Sequence, residues 1–169
     1  MENYIVINGH KAELTPEQIK ALGIGMEKKN PVARENFPQI YYALTRNGNI
    51  TSFYDWGEDD PQILSYLAVG NHCTDRQTMI QRGWHETLNR LLWHYSMDHQ
   101  GNELVWDAGD YHYYIYYDYD HKCWKVGNDG NTQDIGKTYF IDGKTAYDAI
   151  EEIIKPFMIS HPDFKIKGE

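Results

Sequence analysis

The segment Gln81–Ser96, QRGWHETLNRLLWHYS, is the strongest structural signal in the sequence. Its large apolar side chains recur at the three- and four-residue spacing of a helix that buries one stripe. The predicted buried stripe consists of Leu88, Leu91, Leu92 and Tyr95, with Trp84 at its upstream end. The segment Thr74-Asp75-Arg76-Gln77 supplies capping residues, so we predict a long amphipathic helix that ends near Met97.

The opposite side of this helix carries Arg82, His85, Glu86 and Asn89. These residues are separated by three or four positions and therefore share a face. A guanidinium and an imidazole on one face favour an anion or nucleotide site, in which Arg82 meets a phosphate and His85 and Asn89 bind base or ribose. Arg90 and Trp93 extend this predicted ligand-binding face. The alternative is that Arg82–Glu86 and Glu86–Arg90 are simple surface pairs, which add about 0.2–0.5 kcal/mol each.

Aromatic residues are the second unusual feature, with fourteen Tyr and five Trp in 169 residues. Such side chains favour strands and binding surfaces. We predict that some stack on a ligand base beside the helix, namely Tyr41, Tyr42, Tyr113 and Tyr114. The alternative is that they pack a small sheet.

The chain begins with a predicted appendage over residues 1–23. Tyr4 to Ile7, Asn8-Gly9 and His10 to Leu14 form a hairpin pattern with a type I′ turn. Thr15-Pro16-Glu17-Gln18 then gives a capping box for a short helix that ends at Gly23. Residues 24–37 are rich in Gly, Pro and charge and are predicted to be a linker.

Residues 38–169 are predicted to form one α+β domain with helices packed on antiparallel sheet. Two diverged halves, 38–98 and 111–160, share the order hairpin, loop, strand, helix. In the first half the predicted third strand is Leu64–Val69, after a loop at Gly57–Pro61. In the second half Gly127–Gly130 is a loop, and Gly136–Ile141 is the third strand.

The closing segment is predicted to be a helix from Asp142 to about Met158, which Pro156 kinks or ends early. Its predicted buried face contains Ala146, Ala149, Ile150, Ile153, Ile154 and Phe157. Asp98–Asp110 is the predicted joint between the two halves.

The formal net charge of −9 argues against unassisted binding to duplex nucleic acid, which needs clustered Lys and Arg. An acidic face can instead meet a basic protein partner. The predicted partner-binding acids are Glu58, Asp59, Asp60, Asp118 and Asp120. The alternative is that they are solvated loop residues that keep the protein soluble.

No complete catalytic or cofactor motif accompanies these residues. The sequence lacks GxSxG, GxGxxG, a Walker loop and HExxH, and the spacing of His94, Asp98 and His99 fits none of them. We therefore predict no catalytic residues, no metal and no cofactor. Met1-Glu2-Asn3 resembles no signal peptide and no apolar run spans a membrane, so Cys73 and Cys123 are expected to be reduced thiols in a cytoplasmic protein.

Several segments resemble small uncharacterised proteins encoded by phages and prophages of Gram-positive gut bacteria. The likeness rests on Gly70-Asn71, on Gln81-Arg82 with His85 to Trp93, on Ile7 to Thr15 and on Ala149 to Met158. This chain departs from the family at Val32, where Phe is usual after Asn-Pro, and at His94, where Arg is usual. The resemblance implies an accessory protein that counters host immunity in the infected cell, as anti-CRISPR proteins and nucleotide sponges do.

The sequence thus predicts a protein that inhibits a bacterial immune system by stoichiometric binding. Its partner is either an immune effector protein or a nucleotide second messenger, and exposed aromatic strands favour homo-oligomers. Two alternatives stay open: a phosphodiesterase-like enzyme that degrades such a messenger, and a phage structural or assembly protein.

Overall fold

The structure, a computed structural model, describes residues 4–7, 10–15, 18, 38–57, 60–100 and 110–166. Contacts divide the chain into two compact units, Met1–Arg34 and Glu35–Glu169. The fold is of the α+β class, with helices packed on small antiparallel sheets, as predicted. No helix among the described residues is long and apolar enough to cross a membrane.

The first unit contains the predicted hairpin. Strands β1 (Tyr4–Ile7) and β2 (His10–Glu13) are antiparallel, and Ile7 stands opposite His10. The Thr15 amide donates to Gln18 Oε1 at 2.9 Å, and the Gln18 amide donates to Thr15 Oγ1 at 3.3 Å. This is the reciprocal capping box that the sequence predicts. The Asn8-Gly9 turn, the helix end at Gly23 and the 24–37 linker lie outside the described residues.

The second unit opens with an antiparallel pair, β3 (Gln39–Leu44) and β4 (Ile50–Asp55). Helix α1 (Pro61–Ala68) follows. The predicted strand at Leu64–Val69 is therefore wrong, and Pro61 belongs to a helix instead of a loop. Asp60 explains the helix, because its carboxylate accepts hydrogen bonds from the Gln62 and Ile63 amides while Pro61 occupies the first turn.

The long helix predicted from the central stretch is α2 (Arg76–Gln100). Asp75 caps its first turn, since its carboxylate accepts from the Thr78 amide at 2.7 Å. The two ends of α2 bury different sides. Met79 and Gly83 pack toward β3, whereas Leu88, Leu92 and Tyr95 pack into the core that follows. Leu91 was predicted in the buried stripe but is 41% exposed.

Beyond α2 lies a three-stranded antiparallel sheet in the order β6-β5-β7. Its strands are β5 (His112–Asp118), β6 (Cys123–Asp129) and β7 (Tyr139–Phe140). The predicted loop at Gly127–Gly130 is wrong over most of its length, because cross-strand pairing with β5 extends β6 to Asp129. The predicted strand Gly136–Ile141 shrinks to the two residues that pair with Tyr113 and Tyr114.

The closing helical segment runs as α3 (Gly143–Ala149), a π-helical turn (Ile150–Ile154) and α4 (Lys155–Ser160). The sequence predicts that Pro156 kinks the helix or ends it early, and the early end is wrong, because the helix continues to Ser160. Proline lacks an amide hydrogen and collides with the carbonyl four residues back in a regular α-helix. The wider π-helical turn directly before α4 accommodates such a residue without ending the helix.

The main hydrophobic core joins α2 to this closing segment. Its buried members are Leu88, Leu92, Tyr95, Phe140, Ala146, Ala149, Ile150, Ile154, Phe157 and Phe164. The predicted inner face of the closing helix is confirmed, with Ile153 half-buried at its margin. A smaller cluster of Leu44, Cys73 and Met79 joins α2 to the β3-β4 sheet.

Gly83 offers a test of the smaller cluster. A Cβ placed on Gly83 would lie 2.7 Å from Leu44 Cδ2. Ala normally favours a helix over Gly by about 1 kcal/mol. We nevertheless expect Gly83→Ala to lower the free energy of unfolding by about 1–3 kcal/mol, because Leu44 is buried and overpacking forces it to move.

Urea denaturation of Gly83→Ala, Leu44→Ala and the double variant measures this effect as a double-mutant cycle. Leu44→Ala removes the colliding methyl groups, so Gly83→Ala should become neutral or stabilising in that background. Additive losses in the double variant would contradict the predicted collision.

Candidate functional site

The polar face of α2 is the strongest candidate site from the sequence, and the structure gives its leading residues partners within the chain. Arg82 Nε donates to Glu86 Oε1 at 2.8 Å, and Arg82 Nη1 donates to the Gly70 carbonyl at 2.5 Å. Of the two surface pairs predicted as the alternative, Arg82–Glu86 is therefore present, whereas Arg90 contacts Thr87. Arg82 also fixes the loop that precedes α2, which the sequence spacing did not indicate.

Gln81 and His85 hold the closing segment of the chain against α2. The Gln81 carboxamide donates to the Asp163 carbonyl at 2.7 Å and accepts from the Lys165 amide at 2.9 Å. His85 Nε2 lies 2.8 Å from the Lys165 carbonyl, and its ring contacts Phe164 at 4.6 Å between centroids. Gln81 and His85 thus form a clamp on the polar face of α2, which holds residues 163–165 through hydrogen bonds to their backbone.

The Gly70-Asn71 pair has a structural role of the same kind. Gly70 has a φ of +64° and donates to the Leu67 carbonyl, while the Asn71 amide donates to the Tyr66 carbonyl. These two bonds form a Schellman motif that ends α1. The Asn71 side chain then bonds both backbone groups of Leu44, at 3.1 and 2.8 Å. Arg82, Gly70 and Asn71 therefore join α1, α2 and β3 at one place.

The remaining predicted ligand residues on α2 lie toward solvent. Asn89 and Arg90 are exposed, and Arg90 Nη2 lies 3.4 Å from Thr87 Oγ1. Trp93 is 51% exposed, with its ring edge-on to His94 at 4.9 Å between centroids. These residues remain available to a partner, whereas Arg82, His85 and Glu86 already make bonds within the chain.

The four predicted stacking tyrosines do not line one pocket. Tyr41 is fully buried against Phe53 and His72, so the prediction that it contacts a ligand is corrected. Tyr42 pairs with Cys73 across a β-bridge. Neighbouring strand residues point to opposite faces, and Tyr113 accordingly packs on the core while Tyr114 faces the other side.

Tyr114 has a neighbour that the sequence reasoning missed. The Lys137 ammonium lies 3.9 Å from the centre of the Tyr114 ring and pairs with Asp134. The hydrogen bond to Asp134 raises the pKa of Lys137. No local sequence signal links Lys137 to Tyr114, because Lys137 lies in the segment before β7, which is distant from β5 along the chain.

The predicted acidic partner face is divided among separate places. Glu58 and Asp59 lie outside the described residues, and Asp60 caps α1. Asp118 accepts from Lys125 Nζ at 2.5 Å and from His121 Nδ1 at 2.9 Å. Asp120 is exposed in the turn after β5. Asp118 is thus neutralised by its own neighbours, while Asp60 and Asp120 still present charge to solvent.

Two surface cavities of about 280 Å³ each are present among the described residues. The first is lined by Asn89, Leu92, Ile115, Asp134, Ile135, Gly136, Lys137, Thr138 and Phe140. The second lies between β4 and α1 and is lined by Thr51, Ser52, Phe53, Tyr54, Asp60, Gln62, Ile63 and Tyr66. Both are near the lower limit for small-molecule pockets, and only the first includes a residue from the predicted ligand face.

Large apolar side chains on the surface form a further feature of the unit. Tyr54 and Trp56 lie side by side, with ring centroids 4.4 Å apart, and Trp56 is 67% exposed. Trp93 and Met97 lie one helical turn apart on α2, and both are exposed. Exposed aromatic and Met side chains in groups are characteristic of protein interfaces.

No cluster of three or more His, Cys, Asp or Glu residues in the described part of the chain has the geometry to hold a metal ion. Cys73 is buried and Cys123 is exposed, and neither forms a disulfide. Burial raises the pKa of the Cys73 thiol.

Comparison of the chain with protein-family models, with curated proteins and with solved structures gives no match.

The clamp role of Gln81 predicts a measurable effect on stability. Gln81→Ala removes two hydrogen bonds to the 163–165 segment and should lower the free energy of unfolding by about 1 kcal/mol. The Lys165 amide should exchange its hydrogen faster. Gln77→Ala, on an exposed residue one turn earlier, is the matched control. Equal stability and equal Lys165 exchange in the two variants would contradict the clamp.

The Asp118 cluster predicts a pH effect of defined sign. The hydrogen bond from Lys125, with those from His121, lowers the pKa of Asp118. A lowered pKa favours the folded state above the ordinary carboxyl pKa of about 4, and this contribution disappears as the pH falls. The stability advantage of wild type over Asp118→Asn should therefore be present at neutral pH and decline in acid.

Urea midpoints of wild type and Asp118→Asn at a series of pH values from neutral into acid measure this effect. Asp120→Asn, on an exposed residue of the adjacent turn, is the control and should show the pH profile of wild type. A parallel profile for Asp118→Asn would show that the cluster contributes nothing to folding.

Proposed function

We propose that this chain is a counter-defence protein of phage or prophage origin, which inhibits a bacterial immune system by binding one of its proteins stoichiometrically. We choose a protein partner because the polar residues of α2 are bonded within the chain while large apolar residues of the same helix are exposed. Arg82 and His85 bond the backbone carbonyls of Gly70 and Lys165, and Glu86 pairs with Arg82 on the same helix, whereas Trp93 and Met97 are left on the surface.

Interface chemistry supports the same choice. Trp, Tyr and Met side chains are enriched where proteins bind each other, because they bury large apolar area on contact. The net charge of −9 adds electrostatic attraction toward a basic effector, such as the nucleic-acid channel of a nuclease. The resemblance to phage accessory proteins supplies the biological setting of the proposal.

Expression in a Gram-positive host with an active nuclease-based immune system tests this function. A phage that the system restricts should plate better when the chain is present, and the chain should have no effect in the same strain without the system. Purified effector nuclease should lose activity in proportion to added chain, with an end point at a whole-number ratio that does not shift with incubation time.

In the same assay with a nuclease that a nucleotide messenger activates, inhibition by far less than one chain per effector, growing with time, would indicate the phosphodiesterase-like alternative and contradict stoichiometric binding. Trp93→Ala should weaken effector binding about tenfold or more, since buried Trp residues are common hot spots. Trp93→Phe keeps an aromatic ring and should retain most of the affinity. Equal loss in the two variants would argue that Trp93 is needed for folding.

A nucleotide messenger remains the second candidate, and the cavity beside Asn89 and Lys137 is the observation that favours it. Lys137 would supply a cation for a phosphate, and Asn89 would supply hydrogen bonds. Heat release of bound small molecules from protein purified out of immune-signalling cells, followed by mass spectrometry, separates the two candidates. Recovery of one intact nucleotide per chain from wild type, and of none from Lys137→Met, would indicate that the partner is a nucleotide and not a protein.

A further inference from the structure

The outer edge of β4 is the surface that carries the inference. Among the described residues β4 pairs with β3 alone. On the far side of β3, the Tyr42 amide donates to the Cys73 carbonyl at 2.7 Å, and the Cys73 amide donates to the Tyr42 carbonyl at 2.9 Å. The Leu44 amide and carbonyl bond the Asn71 side chain. Tyr42 and Leu44 therefore direct both backbone polar groups away from β4.

The direction of the Tyr42 and Leu44 amides and carbonyls determines which backbone groups of β4 point away from β3. In an antiparallel pair, opposing residues alternate between those that bond each other and those that both point outward. Tyr42 stands opposite Ser52, Leu44 opposite Ile50 and Ile40 opposite Tyr54. Ile50, Ser52 and Tyr54 consequently direct their amides and carbonyls to the outer edge of β4, in the pattern that a further strand requires.

From Ile50 to Tyr54 this edge lacks the features that usually prevent strand addition, and the one inward charge, the buried Asp55, lies at the end of the strand. Proteins protect exposed edges with Lys, Pro, bulges or inward charges. The sequence of β4 is Ile-Thr-Ser-Phe-Tyr-Asp, with its single charge at the last position. Strand β6, which is the other long outer strand of this unit, carries Lys125 in its centre. The difference favours β4 as the edge that meets a partner.

A groove runs beside the same edge. The cavity of about 280 Å³ between β4 and α1 has Phe53, Ile63 and Tyr66 in its lining, and the rings of Phe53 and Tyr66 stack at 5.2 Å. A strand added to β4 would alternate its side chains between the two faces of the sheet. Side chains on the α1 face would enter this groove, where apolar groups fit best.

The charges around the β4 edge favour basic residues at those positions of the added strand that do not enter the groove. Asp60 is exposed in the groove lining, where its side chain caps α1 and can also accept hydrogen bonds from a Lys or Arg of the partner. On the opposite face the exposed rings of Tyr54 and Trp56 offer a surface for cations, which aromatic faces attract. The whole chain is also acidic.

We propose that the outer edge of β4 binds an extended segment of the partner protein, in which aliphatic residues enter the α1 groove and alternate with Lys or Arg. This inference rests on the proposed function in requiring a protein partner, and it defines the segment that the partner supplies. Backbone bonds to Ile50, Ser52 and Tyr54 would provide the affinity, and the groove and Asp60 the selectivity.

Amide hydrogen exchange and a peptide titration on the full chain test this proposal by NMR. The probe is an acetylated and amidated synthetic octapeptide of alternating Val and Lys, and its Val and Glu counterpart is the control. In the free chain the amides of Ser52 and Tyr54 should exchange fast. The Lys peptide should shift the signals of Thr51–Tyr54 and Tyr66 and slow exchange at Ser52 and Tyr54, and the Glu peptide should not.

Two variants separate backbone pairing from other contacts. Ser52→Pro removes an outward amide without removing a bond to β3, as tolerated at strand edges, and should weaken peptide binding at least tenfold. Ser52→Ala keeps the amide and should bind as wild type does. Unchanged signals from α2 and the three-stranded sheet confirm that Ser52→Pro is folded. If it is not, Asp60→Asn serves instead, because it keeps a capping oxygen while it removes the charge.

Several results would overturn the proposal: slow Ser52 and Tyr54 exchange in the free chain, binding of both peptides alike, shifts confined to α2, or no binding. A concentration-dependent dimer lost in Ser52→Pro would assign the edge to a second copy of the chain. Phage plating distinguishes the two proposals. Improved plating without peptide binding would place the partner on another surface, and peptide binding without improved plating would leave the edge site valid and remove the counter-defence role.

Discussion

The structure of the second unit depends on one helix that buries two different sides. At its start, α2 presents Gly83 to Leu44 of the first sheet, close enough that a single added methyl group would collide. Five residues later Leu88 enters the main core with the closing helical segment. Five residues advance a helix by about 140° beyond a full turn, so the two sheets contact nearly opposite sides of α2.

This arrangement explains why the polar face of α2 is occupied by other parts of the chain. Segments that approach a helix from two sides bring backbone carbonyls and amides within hydrogen-bonding distance of its polar side chains. Arg82 satisfies the carbonyl of Gly70 on one side, and Gln81 satisfies Asp163 and Lys165 on the other. Long polar side chains at three- and four-residue spacing serve such a clamp as well as they serve a ligand.

The proposed recognition of a partner protein therefore uses other surfaces. Exposed rings at Trp56 and Trp93, and the edge of β4 that meets no further strand among the described residues, are available where Arg82 and His85 are engaged. An edge strand offers backbone groups at fixed spacing, and these groups give affinity to any extended segment. A short acidic chain can in this way bind a larger basic protein through few residues, with selectivity from the charges around the edge.

Local features were predictable from sequence because neighbours along the chain produce them. The capping box at Thr15 and Gln18, the hairpins and the inner face of the closing helix all follow from residues within one or two turns of each other. The error at Leu64–Val69 has a local cause as well. Asp60 and Pro61 form a helix start, and the apolar residues after them fit a short helix as well as a strand.

The α+β class, the long central helix and its buried Leu88, Leu92 and Tyr95 all follow from the order of residues along the chain. Tertiary structure alone decided which polar side chains stay available to a partner. The physical reason is that a hydrogen bond between Gln81 and Lys165, or a cation over Tyr114, depends on backbone brought together from distant positions. Residue type and spacing give each side chain its chemistry, and packing assigns the partner.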